Sequence, residues 1–392
     1  MRVLIAGAGI GGLTAAHALR AKGHDVVVLE RAPAIREVGA GIQLPPNAVK
    51  VFDALGLTDR VTRRAVRPDA LEARMGESGR RLFRVPLGEP SEARWGAPYF
   101  HIHRADYVAA LAEGLDIQTG ADVVRYETPV GAVGVRLATG ETLSADLLIG
   151  ADGLHSAVRR QMLGAESPRF TGNRAWRVTV PVERLGDDAP DRTACVWMGR
   201  GRHAVTYLLR GGELANFVGV VEADAPGDEG WEATGRRDDA LADFAGWHPV
   251  ITKLLERADA SAFRRWALYD RDPLPRWTDG TVALLGDAAH PMLPFMAQGA
   301  AMAVEDAWVL AETLGDDIIG SLTRYEAVRK PRATKAQAAS RANMKTFHQR
   351  TLPGRIATYG PMWLGGRLAP DAVRGRLDWL YGYDVTQDVS TG

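Results

Sequence analysis

The strongest constraint on this chain lies in its first thirty residues. Arg2–Ala6 is a short apolar run, Gly7-Ala8-Gly9-Ile10-Gly11-Gly12 follows as a turn, and Leu13, Ala16 and Leu19 recur at helical spacing until Gly23 stops the pattern. Val26–Leu29 then reads as a buried β-branched strand. A strand, a GxGxxG turn and a helix leading to a second strand form a βαβ unit of the dinucleotide-binding kind. In that unit Gly7 permits the tight turn, Gly9 lets backbone approach a pyrophosphate, and Gly12 lets helix and strand pack closely. The helix N-terminus presents free N–H groups to phosphate. Glu30 lies 18 residues after Gly12, at the end of the second strand, where a carboxylate can accept from ribose hydroxyls. The motif by itself does not distinguish FAD from NAD(P).

At 392 residues the chain has room for two domains and a helical appendage. Its 48 basic and 48 acidic residues cancel, so no overall field draws it to nucleic acid or to an anionic membrane. A single cysteine, Cys195, excludes an internal disulfide, a CxxC pair, an iron–sulfur cluster and a thiolate-rich zinc site. If the chain does redox chemistry, something other than its own sulfur carries the electrons; Cys195 itself reads as a small core residue. Thr281–Val304 is apolar enough to suggest a membrane span, but Asp287, His290, Pro291 and Pro294 suit a strand, turn and helix instead. Residues 1–18 imitate a signal peptide only until their glycines are counted. The reading is a cytoplasmic protein without a membrane segment.

Two further elements repeat the strand-then-loop pattern. Leu147–Ile149 runs into Gly150-Ala151-Asp152-Gly153, with Ser156 as a helix cap, and Thr281–Leu285 runs into Gly286-Asp287. Asp287 is placed to bind a sugar-alcohol hydroxyl. Gly299 and Ala300 open the next helix, so their N–H groups can stabilise negative charge on an electron-accepting ring. His290 has no companion ligands in sequence, which argues against a metal, and none is expected. Between these elements, Trp176–Val182, Cys195–Met198, Ala204–Leu209 and Phe217–Val221 read as an antiparallel sheet, and residues 318–350 as a charged helix or helix pair.

The order and spacing of these three elements resemble the single-component FAD-dependent aromatic hydroxylases, closest to the branch that contains 6-hydroxynicotinate 3-monooxygenase and salicylate hydroxylase. Gly39-Ala40-Gly41-Ile42, Pro86-Leu87-Gly88-Glu89, His103-Arg104, Met296-Ala297-Gln298-Gly299 and Tyr381-Gly382-Tyr383-Asp384 share the likeness. The resemblance implies an α/β, para-hydroxybenzoate-hydroxylase-like fold: a discontinuous Rossmann-like FAD-binding domain (1–70, 100–172 and 276–315), an inserted antiparallel-sheet substrate domain (71–99 and 173–275), and a C-terminal helical region (316–392).

It also implies FAD with NADH or NADPH as co-substrate, a small aromatic substrate and O2. The hydroxylation would run through a flavin C4a-hydroperoxide, on a phenol or hydroxylated heteroaromatic with or without a carboxylate, in a monomer or homodimer. By the same resemblance the glycine loop and Glu30 hold the pyrophosphate and adenosine ribose. Arg31 flanks the adenine, Val123 gives it a main-chain contact, and Arg104 lies near flavin and pyrophosphate. Asp152 serves FAD and NAD(P)H, Asp287 the ribityl–pyrophosphate region, and Gly299 and Ala300 the isoalloxazine edge. Tyr207 and His203, four apart and so on one face of a strand, match substrate-pocket positions. Gln43 and Phe295 stand where the pyridine hydroxylases carry histidines, a departure that argues against 6-hydroxynicotinate as substrate. Epoxidation or halogenation on the same fold, and a non-catalytic FAD-binding redox regulator, are the alternatives.

Overall fold

The computed structural model describes residues 1–35, 41–129, 131–226 and 233–388. Gly39 and Ala40 of the glycine-rich stretch quoted above lie outside the described residues.

A six-stranded sheet runs in the order Thr278–Asp279, Val282–Leu284, Leu147–Gly150, Arg2–Ala6, Asp25–Glu30, Ile117–Thr119. Every pairing is parallel except that of the short edge strand Thr278–Asp279. Leu147–Gly150 and Val282–Leu284 are buried throughout, as expected of parallel strands covered on both faces. The register aligns Ala6 with Leu29 and Gly150, and Gly150 with Leu284. Parallel strands that end in register deliver their following loops to one edge. Gly7, Arg31, Ala151 and Leu285 therefore start side by side, although the sequence separates them by up to 278 residues. Helices Ile10–Ala21 and Gly299–Thr313 begin from that edge.

The second large sheet has seven strands, ordered Arg264–Asp270, Arg169–Pro181, Leu214–Glu222, Arg202–Leu209, Thr193–Gly199, Ala70–Met75, Arg81–Pro86. It is antiparallel, as the alternating runs suggested, except that Thr193–Gly199 pairs in parallel with Ala70–Met75. Ala70–Met75 arrives from a distant part of the chain, so no hairpin dictates its direction. Side chains alternate between the two faces with period two. On one face Trp176, Val178, Cys195, Trp197, Ala204 and Phe217 pack under Ile251, Leu254 and Leu255. Burial drives the Cys195 thiol pKa far up, so this cysteine is an inert core residue, as read from sequence. The opposite face carries Ala175, Val220, Trp266 and Leu268, packed on Leu293 and Phe295.

A three-stranded antiparallel meander (Val123–Glu127, Val133–Leu137, Thr142–Ala145) and a pair formed by Gly41–Leu44 and Phe100–His103 complete the sheets. Residues 318–350 resolve to one long helix, Ile318–Phe347, continuous across Pro331. Among the described residues no helix is long and apolar enough to cross a membrane.

Candidate active site

The three glycine-containing loops converge at the shared sheet edge. Gly7 has φ +107°, and a Cβ on it would stand 2.4 Å from the carbonyl oxygen of Ala151. A Cβ on Gly12 would stand 2.1 Å from the oxygen of Gly7. Both glycines are thus required by the protein's own packing. Gly9 differs: a Cβ there meets nothing within 4 Å, and its backbone is extended, with φ −79° and ψ 178°. It borders a cleft of about 840 Å³ lined also by Glu30, Arg31, Arg104, Val123, Asp152 and Gly153. Six of the residues named from sequence for the nucleotide end, together with Gly7, therefore face one cavity.

Glu30 accepts from the N–H of Ala8 and of Ala32, each at 2.8 Å. These bonds join the glycine loop to the end of the second strand. A carboxylate has about four lone-pair sites, so acceptor capacity remains for a hydroxyl. Asp152 accepts from Ser156 Oγ at 2.5 Å and from the N–H of Ala157 at 2.7 Å, which caps the helix Ala157–Leu163. Ser156 in turn accepts from Arg159 N–H. Buried Arg159 donates to the carbonyl of Ala288 at 3.0 Å and clamps the second loop against the third.

Asp287 keeps solvent-accessible surface although protein surrounds it. That crowding pushes its carboxyl above the usual carboxylate range, against the opposing pull of His290, Arg104 and Arg159. Its Oδ1 would lie 3.7 Å from a Cβ on Gly299, which places the acid beside the first turn of Gly299–Thr313, where Ala300 follows. The early amides of that 15-residue helix have no intrahelical acceptors.

Beneath this loop is a buried charge network that sequence reasoning did not find. Asp306 accepts from Gly286 N–H at 3.1 Å, from Arg329 Nε at 2.8 Å, and bonds to His290 Nε2. Glu305 pairs with Arg329 and Arg332, each at 2.7 Å, and accepts from Asn47 Nδ2 at 2.7 Å. Burial alone would raise both carboxyls. The surrounding cations overcome it and hold both below the usual range. His290 is thereby a strut of the loop, and among the described residues no three His, Cys, Asp or Glu side chains are grouped to hold a metal ion. The Glu305-Asp306 dipeptide on an otherwise apolar helix was the available signal.

The residues named for the aromatic substrate lie where the seven-stranded sheet meets the rest of the protein. Tyr207 and His203 share the face opposite the Trp176 core and are 3% and 2% exposed. The Tyr207 ring lies 4.5 Å from that of His101, centroid to centroid, and packs on Gly41. Gln43 accepts from Tyr99 Oη at 2.5 Å. Phe295 stands 5.2 Å from the His203 ring, with Phe347 at 5.1 Å on the same imidazole. Burial raises the Tyr207 phenol and pushes His101 down to about 3. His101, Tyr99 and His348, which bonds His203 at 2.7 Å, are members of this constellation missed in the sequence. Isolated histidines on unrelated elements carry no spacing that could announce them.

The family described as "FAD binding domain" matches residues 1–340. The chain is 38% identical to 3-hydroxybenzoate 6-hydroxylase 1 of Aquipseudomonas alcaligenes, over 98% of each chain. It is 35% identical to 6-hydroxynicotinate 3-monooxygenase of Bordetella bronchiseptica, over 98% of this chain and 95% of that one. Among solved structures it resembles Klebsiella pneumoniae HpxO complexed with FAD and uric acid, with a TM-score of 0.87, 30% identity and 97% of each chain covered.

Proposed function

The chain belongs to the FAD binding domain family as an FAD-dependent aromatic hydroxylase of para-hydroxybenzoate-hydroxylase-like fold, and from that premise we propose which of its residues perform the reaction and on what. The overall chemistry inserts one oxygen atom of O2 into a ring C–H bond and reduces the other to water, with NADH or NADPH as reductant. The bound flavin supplies the redox chemistry; the protein supplies position, charge and dryness.

The observation that carries the assignment is the contrast at the glycine loop. Gly7 and Gly12 are needed for packing, whereas Gly9 faces open cleft, which is the cradle a pyrophosphate requires. In this reading the turn that Gly7 and Gly12 build lets Gly9 approach the pyrophosphate, and Glu30 holds the adenosine ribose. Arg31 and the main chain of Val123 hold the adenine. Arg104 and Asp287 bracket the ribityl–pyrophosphate region, and the amides of Gly299 and Ala300 face the ring edge. Asp152 contributes mainly by shaping its loop. The six-stranded sheet with residues 1–70, 100–172 and 276–315 forms the cofactor part. Residues 71–99 and 173–275 form the substrate part, and 316–392 the helical closure.

Tyr207, His203, Gln43 and Phe295 bind and orient the ring. A neutral imidazole at His203, kept so by burial and by the neighbouring His348, can take the proton of a ring hydroxyl and so enrich the ring in electrons. The substrate is a phenol or hydroxylated heteroaromatic, and Gln43 and Phe295, standing where the pyridine hydroxylases carry histidines, argue against hydroxynicotinate. Dependence on NAD(P)H favours a cytoplasmic setting, as a monomer or homodimer.

The test is a panel of hydroxybenzoates and hydroxypyridines given to the yellow holoprotein. Substrate-stimulated NAD(P)H oxidation should accompany a product that carries one atom from labelled O2. Protein that stays colourless after reconstitution with FAD would overturn the reading.

A further inference from the structure

Three side chains on three elements form a continuous polar line from the aromatic interface to the surface. His203, on the strand Arg202–Leu209, is 2% exposed, and its Nδ1 lies 2.7 Å from Nε2 of His348. His348 ends the helix Ile318–Phe347, is 6% exposed, and its Nδ1 lies 3.3 Å from Oε1 of Glu222. Glu222 closes the strand Leu214–Glu222, has a quarter of its side chain exposed, and accepts from Arg350 Nε at 2.6 Å. It also lines a surface cavity of about 510 Å³ shared with Arg174, Asp224 and Asp243.

The order of partners selects the tautomers. The carboxylate of Glu222, in ion-pair contact at 3.3 Å, favours a proton on Nδ1 of His348, so Nε2 of His348 accepts. His203 must then donate from Nδ1, which leaves Nε2 of His203 as its basic nitrogen. Phe295 and Phe347, which flank the His203 ring, offer it no competing proton partner.

We propose that His203, His348 and Glu222 are a proton relay between the substrate's ring hydroxyl and solvent. This rests on the reading of His203 as the residue that meets that hydroxyl. As Nε2 of His203 takes the hydroxyl proton, Nδ1 of His203 passes its own to Nε2 of His348. Nδ1 of His348 passes its proton to Glu222, and Glu222 releases one to water. Both histidines stay neutral and exchange tautomers. The reverse transfer, which returns a proton to the hydroxylated product, restores the starting tautomers, so one proton leaves and one returns per turnover. Burial pushes His348 down to about 4 despite Glu222, so a neutral relay persists at neutral pH. Arg350, whose guanidinium neutralises Glu222, governs how readily the last proton is released.

Glu222→Gln keeps an acceptor for His348 while removing the group that takes the proton. It should lower kcat about tenfold, on the scale of lost acid–base assistance, with KM for the aromatic within about twofold. A larger solvent isotope effect and an altered pH profile of kcat should accompany the loss, and Glu222→Asp should restore part of the rate. Ring ¹⁵N NMR of the holoprotein provides a readout apart from turnover: His203 and His348 should both be neutral with the proton on Nδ1. A Glu222→Gln variant with wild-type kcat, pH profile and isotope effect would overturn the relay, as would an Nε2–H tautomer at either histidine. If the wild-type hydroxylates nothing in the panel, the functional reading fails, and the NMR measurement still decides the relay's geometry.

Discussion

Gly41 and Tyr207 touch so closely that a Cβ on Gly41 would stand 2.3 Å from Cε2 of the phenol ring and 2.5 Å from its Oη. Gly41 N–H donates to Asn216 Oδ1 at 3.1 Å, which pins the same backbone to the neighbouring strand. Tyr207 is thus held against the main chain by the absence of one methyl group. Gly41→Ala should destabilise the fold by about 1–3 kcal/mol, the usual cost of overpacking. The cost should largely vanish when combined with Tyr207→Ala, because the clash partner is gone. Urea unfolding of the two single variants and the double variant measures this; additive effects would show that the contact is not the cause.

Among the glycines of the pyrophosphate turn, alanine should separate folding from cofactor binding. Gly7→Ala meets backbone at 2.4 Å in a left-handed conformation and should impair folding, as should Gly12→Ala at 2.1 Å. Gly9→Ala has free space and an extended backbone. It should melt like the wild-type apoprotein yet retain far less FAD. Thermal melting and flavin absorbance of the purified variants distinguish these outcomes.

Removing one acid from the buried network should reach the cofactor loop. Asp306→Ala strips partners from His290, Arg329 and the Gly286 N–H together. Leaving a buried cation short of its partner costs about 3–5 kcal/mol. The variant should unfold at lower urea and lose FAD more readily, although Asp306 lines no cofactor cleft. Retention of FAD at wild-type affinity would show that Gly286 and Asp287 hold their position without this support.

Acid should weaken the protein through its buried histidines. Burial pushes His101 down to about 3 and His348 to about 4, and lowers His203 well below its ordinary value. In the unfolded chain each titrates near pH 6.5. Below about pH 6.5 the unfolded state therefore binds protons that the folded state refuses, and stability is lost as pH falls toward 4. Each such histidine contributes up to about 1.4 kcal/mol per pH unit in that window. Urea midpoints should be flat from pH 7 to 8 and fall below pH 6.5; a flat or rising midpoint down to pH 5 would contradict this.

Much of the cofactor cleft was legible because local rules write it. A GxGxxG turn between a strand and a helix admits few backbone paths, and Glu30 ends the next strand by simple counting. The strand-then-loop pattern recurred at Gly150 and Gly286, so their convergence followed from parallel pairing. The parallel partnership of Thr193–Gly199 with Ala70–Met75 was not legible, since it depends on which distant edge meets which. The meander over Val123–Ala145 escaped notice because its short strands expose part of their surface and lack strong alternation. Tyr207 and His203 were recognisable as same-face residues, but their partners His101 and His348 sit on other elements with no fixed spacing to them.

The sequence by itself determined the chemistry's address: three loops at strand ends, their glycines, Glu30 and Asp287, and the exclusion of sulfur-based redox chemistry by a lone cysteine. Backbone sterics act between neighbours in the chain, so such features are written locally. Only the tertiary structure decided that Glu305 and Asp306 would lie beneath the loop on Arg329, and that His203 would meet His348 and Glu222. Those pairings join groups up to 145 residues apart. Their strength comes from a shared low-dielectric interior, which exists only after the elements have packed.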